Sequence, residues 1–329
     1  MRALVSKYQL MAFFILAYAI SWILWIPFLL FPGGLLEILG ILGAFGPALA
    51  CIIVSAVVDP KHTMNRRVAR RITFALVWLA ASAAFTLYIT WGAPSDNMPA
   101  VTLISVALGL VPAFVASSAF SRVTGIRSSL SRLVRPPGGL GWHVIAVLLV
   151  PAMLLLGAAI TRLLGRSVSY PPRGDNTLRL VTGIAISFLY AFFYAGGMNE
   201  ESGWRGFALP RLQARLSPLL ASVVLGIIWL LWHLPLDLAG RRFGVAGFRI
   251  YTSAVVGGFI FTWLYNRSGG SLLAAVLLHS AANVAFELLP MAKAWDYVQI
   301  VVAIAMILVD RMWRRLPLNS PGVAGRPNS

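Results

Sequence analysis

Apolar stretches with few or no charges, many of them about twenty residues long, recur along this chain and leave it very few architectures. They fall at residues 9–31, 35–58, 73–92, 100–120, 143–164, 180–197, 216–236, 251–265, 272–289 and 298–309. A run of about twenty such residues crosses a ~30 Å hydrocarbon core as a helix. No water is available there to satisfy open strand edges, so backbone groups must pair inside a helix or a closed barrel. The runs show no period-two alternation, which removes the barrel. The expected fold is all-α, a polytopic integral membrane bundle of about 9–10 transmembrane helices. Composition agrees: 59% of residues are hydrophobic, 11% are charged and mean hydropathy is +0.82, far from the balance of a soluble domain.

The formal charge of +17 invites a nucleic-acid reading, which its distribution argues against. Lys61, Arg66, Arg67, Arg70 and Arg71 are expected in one loop, and Arg122, Arg127, Arg132 and Arg135 in another. Arg311, Arg314, Arg315 and Arg326 follow the last run. These clusters alternate with the arginine-free segment 93–99, as basic cytoplasmic loops do. The expected placement is multi-pass in a bacterial plasma membrane with both termini cytoplasmic. The lipid bilayer is the partner and no nucleic acid is expected. Only Arg241, Arg242 and Arg249 fall on the other side in this count. The first run is too long for a signal-peptide core and is expected to remain as a helix. Cys51 is the only cysteine, so no internal disulfide and no cysteine metal site are expected.

Chemistry is concentrated in one part of the chain. Residues 1–178 read as accessory transmembrane helices, 179–290 as the functional core, 291–312 as a terminal helix and 313–329 as a polar, disordered cytoplasmic tail. Pro171-Pro172-Arg173-Gly174 marks the seam between the first two. In the core, the uncharged run 180–199 ends in Glu200-Glu201. A carboxylate at membrane depth costs at least ~2.5 kcal/mol, so two together need a reason. Glu201 and Arg205 are four apart and can pair on one helix face. Glu200 points elsewhere and is left without a local partner, which suits a general base. His233 is the ionisable residue of the run 216–236, with Trp229 one turn earlier. His279 and Asn283 share a helix face, as donors to a developing oxyanion would. Counting ~1.5 Å per residue from the nearest turns puts Glu200, His233 and His279 at ~15, ~22 and ~14 Å depth, close enough to converge. His62 and His143 are given no role.

At these residues the chain resembles the CPBP family, which comprises CAAX prenyl proteases and bacteriocin-processing, abortive-infection-like enzymes. Glu200-Glu201-Ser202-Gly203-Trp204-Arg205 matches its first motif, EExxxR. Trp229-Leu230-Leu231-Trp232-His233 looks like the second, an aromatic four residues before histidine, with tryptophan where phenylalanine is commoner. His279-Ser280-Ala281-Ala282-Asn283 looks like the third, HxxxN. The resemblance covers roughly residues 180–290 and implies an intramembrane endopeptidase. It implies that Glu200 and His233 activate water, that His279 and Asn283 stabilise the oxyanion, and that Glu201 and Arg205 support the geometry. Its substrate would be a small peptide or a membrane-anchored protein. No cofactor is required in a glutamate-based mechanism. A Zn²⁺ held by Glu200, His233 and His279 is the alternative, two histidines and a carboxylate leaving one position open for water.

Two other classes stay open at this stage. A non-catalytic scaffold or bacteriocin-immunity factor would keep the polar set for structure, so Glu200 substitutions would harm stability and not function. A proton-coupled transporter would use the buried glutamates and histidines as relays and would depend on an ion gradient.

Overall fold

The structure, a computed structural model, describes residues 2–31, 33–62, 66–91, 96–169, 176–239 and 248–323, with backbone alone for 248–254. Among them the chain is a helix bundle without a β-strand: α1 (Gln9–Leu30), α2 (Gly46–Val58), α3 (Arg67–Thr90), α4 (Met98–Ser117), α5 (Thr124–Val134), α6 (Gly139–Leu163), α7 (Thr177–Phe193), α8 (Met198–Gly203), α9 (Pro218–Trp232), α10 (Phe248–Arg267), α11 (Leu272–Leu288) and α12 (Trp295–Val309). A shorter helix, Arg2–Lys7, precedes α1, and Glu37–Gly43, Leu209–Gln213 and Leu234–Leu238 lie between the others.

Every expected apolar run falls on a helix, but the runs are not equally long. Five described helical stretches are long and apolar enough to cross a membrane, or six when Gly34–Gly43 and Gly46–Val58, bent by 50°, count as one broken span. Helices α9, α11 and α12 are apolar but have only 15, 17 and 15 residues. At ~1.5 Å rise per residue they reach ~22–26 Å, short of a full crossing. His233, which caps the end of α9, and His279 and Asn283 on α11 thus belong to the short helices. Large apolar side chains point outward along the longer ones, with Ile23, Leu76, Leu103 and Leu148 all more than half exposed. Such a belt is stable against lipid tails and unstable against water. The molecule is a polytopic membrane helix bundle.

Two cores hold it together. One packs Phe13, Trp25, Phe45, Trp204, Phe207 and Trp232 between α1, α2, α8 and α9. The other joins α6, α10, α11 and α12 through Val150, Leu154, Ile260, Leu264, Ala275, Leu278 and Trp295. Polar links tie the N-terminal helix to α9: Trp22 Nε1 donates to the Trp232 carbonyl at 2.9 Å, and Trp232 Nε1 donates to Ser21 Oγ at 2.8 Å. The first core therefore crosses the expected boundary near residue 178.

Three expectations need correction. Arg67, Arg70 and Arg71 lie in the first turns of α3 and not in a loop. The segment around Arg122–Arg135 is not simply a loop, because Thr124–Val134 forms helix α5. Its Ile126, Leu130 and Leu133 are buried while Arg127 donates to the Ser121 carbonyl at 3.0 Å. An apolar residue every three or four positions is enough to seat one helix face. The terminal segment is described as far as Val323, and that part is docked. Pro321 O accepts from Arg132, and Gly322 O accepts from Gln213 Nε2 at 2.7 Å. Residues 324–329, the seam Pro171-Pro172-Arg173-Gly174, residues 93–95, Arg241, Arg242 and the Arg249 side chain lie outside the described residues.

Candidate active site

The site begins with a break in a helix. α7 ends at Phe193 because Gly196 adopts φ +91° and Gly197 N–H turns back to the Ala191 carbonyl at 3.1 Å. A glycine in the left-handed region is the usual way to close a helix. The chain restarts at once as α8, which carries Glu200 and Glu201 in its first turn. There the unpaired N–H groups and the helix dipole favour negative charge. α8 runs on into a single π-helical turn, Trp204–Ala208, a geometry that recurs at functional sites. Gly203 lets α8 lie against α2, since a Cβ there would come within 2.6 Å of Pro47. Gly196 has a second role, because a Cβ on it would run into His279 Nε2 and come within 2.8 Å of Asn283 Nδ2. Gly196→Ala is expected to destabilise the fold by ~1–2 kcal/mol from backbone strain alone, with displaced histidine or asparagine adding to it. Thermal unfolding in detergent checks this, and an unchanged midpoint would mean the turn tolerates a side chain.

The six expected residues come together around this break. Glu201 is fully buried and its Oε1 serves two partners, Arg205 Nη1 at 2.8 Å and His279 Nδ1 at 2.8 Å. The expected pair is thus a triad that reaches α11. Arg205 lies over the Phe261 ring at 4.1 Å, a cation–π contact in a desolvated setting. Because Glu201 fixes Nδ1, the other ring nitrogen of His279 faces Gly196 and Asn283. Asn283 Nδ2 donates to the Ala195 carbonyl at 2.8 Å, which anchors the turn to α11.

Glu200 differs from its expectation. It has local partners: Trp204 Nε1 and Trp229 Nε1 both donate to Oε2, at 3.3 and 2.5 Å. Its Oε1 faces His233 Nε2 at 3.9 Å. The first indole is four residues along the same helix, and the second is four residues before His233. His233 Nδ1 donates to the Trp229 carbonyl at 3.0 Å, since a carbonyl can only accept. In the neutral ring that leaves Nε2, on the Glu200 side, as the acceptor.

These groups line a cavity of about 770 Å³. Glu200, His233, His279 and Asn283 lie in its wall. The remaining lining is mainly apolar and aromatic, including Trp25, Phe28, Ile41, Tyr190, Trp229 and Trp295. A large apolar pocket with a few convergent polar groups is the usual form of a ligand site. The residues sequence reasoning left out are Trp204 and Trp229 as donors and Trp25, Phe28 and Ile41 as wall. The aromatic residues Trp25 and Phe28, three apart in α1, were the available signal for the wall. His143 sits apart, held by the Gly139 carbonyl at 2.8 Å and Ser271 Oγ at 3.1 Å, and His62 makes an isolated bridge with Val123.

Among the described residues no group of three or more His, Cys, Asp or Glu could hold a metal ion. His279 Nδ1 is committed to Glu201, which leaves Nε2 as the ring nitrogen on the Gly196 side.

A buried carboxylate–histidine cluster opening on an apolar cavity, inside a bundle faced with lipid-compatible side chains, defines an integral membrane protein with an intramembrane polar site. Residues 182–285 match the family model described as type II CAAX prenyl endopeptidase Rce1-like. The chain is also similar to "CAAX prenyl protease 2" of Methanococcus maripaludis, 28% identical over 179 residues, which cover 51% of this chain and 65% of that protein. The residues matched by the family model include all six polar residues of the site.

Proposed function

We infer that this protein is an intramembrane endopeptidase that hydrolyses a peptide bond in a small peptide or a membrane-anchored protein. The observation that carries this reading is the pairing of Glu200 Oε1 and His233 Nε2 at 3.9 Å in the wall of the cavity. The gap is too long for a direct hydrogen bond, but one water donating two ~2.8 Å bonds spans it. Both groups accept, so the water's lone pair is left to face a substrate carbonyl.

The reaction then runs as follows. Glu200 removes a proton while the water oxygen bonds to the carbonyl carbon, and the carbonyl electron pair moves onto oxygen. His279 Nε2 and Asn283 Nδ2 stabilise that oxyanion. For His279 to donate from Nε2 the ring must carry a proton there as well as the Nδ1–H that Glu201 accepts. Collapse of the intermediate breaks the C–N bond, and Glu200 returns its proton to the departing nitrogen. A carboxylate and an amine leave. Glu201 and Arg205 orient His279 without touching the substrate. This scheme draws on side chains alone and requires no metal. The N- and C-termini are assigned to the cytoplasmic side on the arginine distribution.

Cleavage of a quenched peptide library by the detergent-purified protein, beside Glu200→Ala, with and without chelation, tests it. Cleavage is expected that vanishes in Glu200→Ala and survives chelation. Loss on chelation with recovery on Zn²⁺ would replace the glutamate scheme with a metal one. Inactivity of both proteins on every peptide, with both complementing a deletion strain, would leave the scaffold reading in its place.

A further inference from the structure

We propose that the indole N–H of Trp229, seconded by that of Trp204, is the positioning device that decides which oxygen of Glu200 meets the water. The assignment rests on the endopeptidase reading above and deepens it.

A glutamate in an apolar cavity has a rotatable carboxyl group whose two oxygens are chemically equal. Here they are made unequal. Both indoles donate to Oε2, from different elements: Trp204 from the π turn that follows Glu200, and Trp229 from the last turn of α9. The oxygen turned to His233 is the other one, Oε1. Hydrogen bonds to an ionised acceptor are about twice as strong as neutral ones. Two on one oxygen define the plane of the carboxyl group and its distance from His233. Trp204 is fully buried, so its ring has little freedom to turn away.

The Trp229 ring also touches both histidines edge-on, at 5.2 Å from His233 and 5.7 Å from His279 between ring centroids. Its backbone carbonyl takes the Nδ1 proton of His233. One residue therefore sets the carboxylate by its side-chain N–H, the histidine tautomer by its main chain, and the spacing of the two histidines by its ring. Phenylalanine at this position would retain the last two and lose the first. A shift of about 1 Å in a reacting group can cost ~10²-fold in rate, which gives the missing N–H a measurable effect without any loss of packing.

The test uses the full chain in detergent and a peptide that the wild type cleaves and Glu200→Ala does not. Trp229→Phe is expected to lower kcat about tenfold with KM within about twofold of wild type, the size expected for one charged hydrogen bond. Trp204→Phe should do the same to a smaller extent, in keeping with its longer contact. It also decides the matter should Trp229→Phe fail to fold. Wild-type kcat in the folded variants overturns the assignment and leaves the endopeptidase reading standing, as does a loss carried in KM or one that merely follows a lowered unfolding midpoint. A wild-type protein that cleaves no peptide overturns both.

Discussion

Glu200→Gln is expected to lower kcat/KM for any cleaved peptide by about 10³-fold, within the range general bases contribute, while the protein stays folded. The amide has the shape of the carboxylate, and its oxygen can still accept from Trp204 and Trp229, the donors at 3.3 and 2.5 Å. What it lacks is the capacity to take a proton from water. Peptide kinetics beside a thermal melt separate the two effects: the rate should collapse while the midpoint moves little. A glutamine variant that cleaves at the wild-type rate would remove the base from the proposed scheme.

Glu201→Ala is expected to act in the opposite sense, on the fold first. Glu201 has no exposed surface and stands between Arg205 and His279, each 2.8 Å from one of its oxygens. Truncation leaves a guanidinium buried among apolar side chains, a loss of about 3–5 kcal/mol for broken buried pairs. A second substitution should return part of it. Glu201→Gln with Arg205→Met removes both charges, and buried pairs replaced by apolar groups are often neutral. Glu201 Oε2 and Arg205 Nε lack hydrogen-bond partners among the described residues, so the native cluster is not fully satisfied and the double variant has less to lose. Unfolding midpoints of the three proteins decide it. A Glu201→Ala protein as stable as wild type would mean Arg205 finds other compensation.

The two adjacent glutamates thus divide the work, and their division could be half read from the chain. The i,i+4 spacing of Glu201 and Arg205 is local, and it survives even though the helix passes into a π turn between them. The extension of that pair to His279 joins residues 78 apart, a distance over which no periodicity carries information. The same applies to Glu200. Its partner Trp204 is one turn away, whereas Trp229 belongs to another helix. The expectation that Glu200 lacks a partner failed because indole N–H groups look like ordinary apolar bulk in a hydrophobic run.

By itself the sequence determined the solvent and the element type. Long uncharged runs admit little but helices in lipid, and the polar residues that interrupt them, Glu200, Glu201, Arg205, His233, His279 and Asn283, stand out because burying them is costly. Only the tertiary structure decided how they meet. Gly196 at φ +91° breaks α7 and turns Glu200 inward, short helices bring His233 and His279 to the same depth, and Trp25 and Phe28 close the cavity from the other end of the chain. These depend on side chains packing across large sequence separations, such as Trp232 on Ser21, 211 residues apart. Composition and spacing are summed along the chain, while packing is decided between its distant parts.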